Sequence, residues 1–416
     1  MMTRLIILAV VLATFGCEGS VALSGDHQTR GAGAGATTPK GEPSILVPEE
    51  TEPEAVEATP TPTEPEVVVE IPEFTPAQID TFVRAISQML VSRPPSEAEV
   101  AAIASGGTDA LAPMLRSWAA EPAFADNARY MMQQKLRASG SRDDIDFELP
   151  GNLVSHVVQN DLPWETILTA DYCVDVAGTQ IPCDTGAPFA AGVLGTRAYL
   201  AGNASRFNLG RANRLMNVFA CRAYPMESEL QPYLEKSKLI PMFQANSVEE
   251  QTVEEAAGGF GNGSGCYTCH GQFGAHAQLF VKFDQTGLYR PEATGLQDTE
   301  GELGRSVDGL MASHFNEPTR AADERSQVFG AQVANLAEAA RTIAEAEPFL
   351  PCQAKSILQH TFGLSDSAPI DPKTLTAITE RALGFNADPT YTDLVVATFT
   401  EPGVILSIVG NQGGTQ

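Results

Sequence analysis

Residues 261–276 read GNGSGCYTCHGQFGAH, with Cys266, Cys269 and His270 spaced as Cys-x-x-Cys-His. No other stretch restricts the fold so strongly. Two thiols and an imidazole in one five-residue run are presented to a single centre, and the rest of the chain must leave that centre room. The glycines on both sides let the backbone approach a flat or bulky group closely. The chain has seven cysteines in 416 residues, so the placement of the other five indicates what this pair does.

Cys-x-x-Cys-His is the spacing by which c-type haem is attached. Thiols three residues apart reach the two vinyl groups on one porphyrin edge, and the next imidazole meets the iron from one face as the proximal ligand. Cys266 and Cys269 are therefore the expected thioether carriers and His270 the expected iron ligand, for one covalent haem c. A structural zinc site would need a second Cys or His pair, and no other C-x-x-C or H-x-x-x-H occurs. A thioredoxin-like motif would need a βαβ context, which the pattern lacks. An ordinary disulfide remains the bland alternative.

The N-terminus supplies a compartment. Arg4 is followed by an apolar run from Leu5 to Phe15, too short for a membrane span of ~20 residues but suited to an export signal. Gly16-Cys17 closes it in the manner of a lipoprotein signal, in which Cys17 would be acylated. A plain secretory signal is the alternative, and both export the chain. In an oxidising compartment, Cys173 and Cys183, in DYCVDVAGTQIPCD, are expected to bridge. Cys221 and Cys352 are paired by elimination.

Residues 1–17 thus read as the signal and 18–73 as a disordered Pro/Thr/Glu-rich tether, poor in large apolar side chains. Residues 74–205 read as a helical N-terminal domain, 206–348 as the haem-binding region, and 349–416 as a C-terminal helical part packing on it. Thr75 and Pro76 open a helix whose stripe is Ile79, Phe82, Val83, Ile86, Met89 and Leu90. Ser96 with Glu99 reads as a capping box. Helical spacing continues at 110–120, 123–136, 153–159, around Trp164, and at 211–222. It returns with Phe329, Val333, Leu336, Ala340 and Ile343, then at 352–362, 372–383 and 391–399. Trp118 and Trp164 are expected core anchors. The expected class is mainly α, multi-helical, with long loops around the middle.

Charge excludes some partners. With 26 basic against 52 acidic residues the formal charge is -26, and nucleic acid or an anionic bilayer would need a basic face. Ten of the acidic residues lie between Gly41 and Phe74, without a Lys or Arg. Contact with a membrane is expected through a lipid anchor only.

Beyond Pro72 the chain resembles the planctomycete- and myxobacteria-type cytochrome c proteins built from the uncharacterised domains numbered 1592, 1588 and 1585. The segments that carry the likeness are LVSRPPSEAEVAAI, TADYCV, GVLGTRAYLAGNASRFNLGRANRLMNVFACR, the haem motif, and FDQTGLYR with Phe283, Asp284, Gly287 and Arg290. Near the end it is carried by Phe349 and Cys352 before SILQHTFGL, and by LVVATFTEP. Gly274-Ala275 replaces the family's aspartate-proline pair, Leu364 an arginine and Gly403 a phenylalanine. The resemblance implies a haem-binding protein and assigns no further chemistry.

A sixth iron ligand would mark an electron carrier, an open face a catalyst. The candidates are Met311 and His314 in GLMASHF and Met242 in LIPMFQ, with His276 less favourably placed beside His270. Each Met has an ordinary role as core filler, and His156 and His360 read as core or edge residues. Asp284 and Arg290 suit a haem-propionate contact or, better, a structural ion pair. No catalytic residue is assigned. The expected function is that of an exported monohaem c-type cytochrome in the periplasm or on the cell surface, passing electrons to or from a partner protein or small molecule. The rivals are a haem-dependent oxidative enzyme acting on an extracellular substrate, and a partner-binding protein in which the haem is structural.

Overall fold

The computed structural model describes residues 74–138, 140, 142, 144–205, 208–224, 272–291 and 324–409. The expected signal and tether lie outside them. The described residues all fall in one compact unit and are mainly helical.

Local rules account for the first helices. α1 (Pro76–Val91) starts with Thr75 and Gln78 capping each other, proline in the first turn, and ends on Ser92 in the left-handed region. α2 (Glu97–Gly106) starts with the Ser96–Glu99 capping box and passes through a 3₁₀ turn, Gly107–Ala110, into α3 (Leu111–Trp118). α4 (Pro122–Leu136) and α5 (Leu149–Gln159) follow and pack on each other, each with proline in its first turn. Arg93 ties this corner together. Its guanidinium forks onto Glu99 at 2.8 Å and reaches Glu121 at 2.5 Å. Trp118, fully buried, donates its indole N–H to the same Glu99 carboxylate at 2.5 Å.

The short α6 (Thr166–Thr169) leads into a loop section with one two-stranded ladder, β1 (Cys173–Val174) against β2 (Gln180–Ile181). The Sγ atoms of Cys173 and Cys183 are at bonding distance, 2.12 Å. α7 (Arg197–Gly202), capped by Thr196, and α8 (Leu209–Phe219) come next.

One sequence expectation is corrected further on. The spacing of Phe329, Val333, Leu336, Ala340 and Ile343 predicts a single helix. Instead β3 (Ser326–Val328) and β4 (Ala331–Val333) form an antiparallel hairpin, and the helix α9 starts only at Leu336, running to Ala344. The cause is the turn pair Phe329-Gly330, both at positive φ (49° and 80°), the geometry of a two-residue hairpin loop. Asn335 then caps α9 through Ala337 and Glu338.

α10 (Phe349–Thr361), α11 (Pro372–Phe385), α12 (Tyr391–Phe399) and α13 (Pro402–Val409) complete the described chain. α12 is buried along its whole length and so carries no polar face; Leu394, Val395, Val396 and Phe399 fill the core between α3, α10 and α11. Tyr391 meets the rings of Trp164 at 4.8 Å and Phe124 at 5.5 Å. Its one carboxylate, Asp393, closes a capping box with Thr390 and pairs with Arg116 at 3.0 Å. Phe82 of α1 packs on Phe399 at 6.3 Å. One hydrophobic cluster therefore runs from Ile79 to Val409. Among the described residues no single helix is long and apolar enough to cross a membrane; α12 and α13 reach that length only together, with a 57° bend.

Candidate functional site

Cys266, Cys269 and His270 lie outside the described residues, as do Cys17 and the candidate sixth ligands Met242, Met311 and His314. What the structure describes is the shoulder of the motif. Helical residues 272–278 begin two positions past His270, and every residue from 272 to 281 is buried. The run QFGAHAQLFV contains no acidic or basic residue apart from His276. Burial drives the pKa of that imidazole down to about 3, so it is neutral at physiological pH. Its Nδ1 lies 2.6 Å from the Tyr224 hydroxyl. Tyr224 also meets Phe273 edge-on at 5.7 Å and closes a small cluster of Phe273, Ala277 and Ala212 of α8. The Ser326 hydroxyl of β3 donates to the Ala275 carbonyl, which seats the hairpin on the same helix.

The next segment, FDQTGLYR, fixes that helix to the body of the protein. Asp284 Oδ1 accepts from the Thr286 N–H at 2.8 Å, the Thr286 hydroxyl at 2.8 Å and the Leu288 N–H at 3.0 Å. Its Oδ2 pairs with Arg290 at 2.9 Å. Burial alone would raise this carboxyl's pKa, but the bonds from Thr286, Leu288 and Arg290 outweigh it and hold the group below its usual value. Phe283 is buried against Tyr289 at 5.3 Å. Gly287 sits at φ 80°, where a Cβ would come within 2.9 Å of the Arg197 Cα. Asp284 and Arg290 thus build a turn, and the structural reading of the pair is the one their partners support.

Two arginines lock the turn from outside. Arg211 of α8 is fully buried and satisfied by the Leu200 carbonyl at 2.8 Å, the Asn208 side chain at 3.1 Å and the carbonyls of Phe283 and Asp284. Burial lowers its pKa to about 10, which leaves it charged at pH 7. Arg197 reaches the Thr286 carbonyl at 3.0 Å and Asp144 at 2.6 Å. Neither was singled out from the sequence. The available signal was an arginine at a position of α8 where the helical stripe calls for an apolar residue.

Cys221, just past α8, and Cys352 of α10 have their sulfurs 2.10 Å apart, joining the helix under the motif's shoulder to the C-terminal helices. His156 and His360 are partly buried, edge-on to Tyr172 and Tyr130. Among the described residues no group of three or more His, Cys, Asp or Glu could hold a metal ion.

The donor chemistry fits a covalently held haem: two thiols and an imidazole in one run, then a flank of apolar and neutral side chains with no carboxylate. Such a flank would keep the dielectric low beside a redox group. No family model, curated protein or solved structure matches this chain.

Proposed function

We propose that this chain is an exported monohaem c-type cytochrome that transfers electrons outside the cytoplasm, a member of the cytochrome c family it resembles. The observation that carries the reading is the run Cys266-Tyr-Thr-Cys269-His270 leading directly into a buried, uncharged helix. Cys266 and Cys269 would hold the porphyrin through thioethers and His270 would ligate iron, with Met311, His314 or Met242 as the sixth ligand. The haem, once attached, supplies one-electron exchange.

The chain's own residues hold the helix that begins two positions past His270. The Asp284 turn, clamped by Arg197 and Arg211, anchors the helix that follows His270, and Tyr224 with His276 seats that helix on the end of α8. That helix is buried from residue 272 onward and carries no carboxylate. Export by the N-terminal signal, with a lipid on Cys17 as the anchor, would put the protein where haem-c maturation occurs; its partners would be a redox protein or a small donor or acceptor.

The experiment is optical spectroscopy of the full exported protein from a host with haem-c maturation machinery. A reduced, low-spin spectrum that carbon monoxide leaves unchanged is expected. Immediate binding of carbon monoxide would overturn the carrier reading in favour of oxidative catalysis.

A further inference from the structure

A pocket of about 250 Å³ opens between the C-terminal end of α4, α8 and α10. Its charge runs against the chain's. Lys135, Arg137, Arg214 and Lys355 line it, against a single carboxylate, Asp366. Asp366 is spoken for: it pairs with Lys135, which the Gln359 side chain also holds at 2.9 Å. Arg137, Arg214 and Lys355 have no carboxylate partner among the described residues; Arg214 makes one bond, to the Lys135 carbonyl at 3.1 Å. Ser356, 3% exposed, lines the same pocket.

A structural account covers only part of this. Lys135 and Arg137 lie at the end of α4, where cations complement the helix dipole. That does not explain Arg214 on α8 or Lys355 on α10, which bring two further positive charges to the same space. Burial lowers the pKa of Arg214 and the charge of Arg137 lowers it further, with Tyr199 and Asp366 only partly opposing them, so the two guanidinium groups repel each other. Arg137 holds its place in a left-handed conformation, φ 52°, which a non-glycine residue adopts at a cost.

We propose that this pocket binds a small polyanion, a polycarboxylate or a phosphate ester, gripped by Arg137, Arg214 and Lys355 with the Ser356 hydroxyl as a neutral donor. The volume falls below the 300–1,000 Å³ common for drug-sized ligands, which fits a compact ion rather than a polymer. Guanidinium groups bind carboxylate and phosphate oxygens in pairs. In physiological salt, fields are screened beyond ~8 Å, so the local cations and not the distant carboxylates govern binding. None of these residues belongs to the haem motif, so the site stands or falls apart from the proposed redox function.

The test is calorimetric titration of the full chain with citrate and with inorganic pyrophosphate, the two arms separating carboxylate from phosphate chemistry. Saturable one-site binding of at least one is expected. Lys355→Gln and Arg137→Asn, the latter keeping a residue that tolerates the left-handed backbone, should each weaken it about tenfold. Lys373→Gln, an exposed lysine away from the pocket, should leave it unchanged. Both pocket variants alter side chains that make no bond to the fold, so folding is retained. Absence of saturable binding for both anions, or equal affinity in all three variants and the parent, would overturn the proposal.

Discussion

His276 is buried without charge, and that has a thermodynamic consequence. Its imidazole titrates near 6.5 in an unfolded chain and near 3 in the folded one. Between those values only the unfolded state takes up the proton, so the stability present above pH 6.5 is lost as pH falls toward 3. From pH 7 to pH 5 the loss amounts to about 2 kcal/mol. Urea unfolding at the two pH values checks it, with His276→Gln as reference. The parent should lose that much more than the variant; parallel losses would mean that the buried imidazole does not stay neutral. Glu99 adds to the acid sensitivity at lower pH, since the hydrogen bond from Arg93 leads in lowering its pKa to about 2.

At the scale of elements, the turn 283–290 is the piece that ties the segment following the haem motif to α7 and α8. Gly287→Ala should destabilise the protein by about 2–4 kcal/mol, because the added methyl meets the Arg197 backbone as well as a positive φ. Gly330→Ala, at the same φ of 80° in the hairpin but with nothing within 4 Å of the new Cβ, should cost only about 1 kcal/mol. Denaturant midpoints of the two variants measure the difference, and equal losses would remove the close approach from the account. The first helices were legible for definite reasons: Thr75 and Ser96 close capping boxes, α4 carries proline in its first turn, and the apolar stripe of α1 matches its buried face. The sequence misled at Phe329, where an apolar i, i+4 spacing coincided with a hairpin whose signal, Gly330 after a bulky residue, is weak. It missed α7 and α13, which are six and eight residues long, too short for a stripe to stand out. Of the proposed site, the Cys-x-x-Cys-His run stands out in sequence because its residue types and spacing are fixed by the attachment chemistry it is proposed to serve. The Arg211 and Arg197 clamps do not, because most of their partners are backbone carbonyls, scattered from residue 144 to residue 286, and carbonyls leave no mark on sequence.

For the molecule as a whole, one large hydrophobic cluster joins the described helices from Ile79 to Val409, and two cysteine pairs lie at bonding distance. The Cys221–Cys352 link closes a loop of 131 residues that contains the haem motif, the buried helix 272–278 and the Asp284 turn. The link holds the two ends of that loop, and the arginine clamps hold the Asp284 turn within it. The central claim is that the loop carries one covalent haem on Cys266 and Cys269. Intact-mass spectrometry of the matured, exported chain tests it most directly. The account predicts a mass increased by one haem that survives denaturation and disappears in Cys266→Ala, Cys269→Ala protein; a parent chain that shows only the mass of its polypeptide and lipid would contradict it.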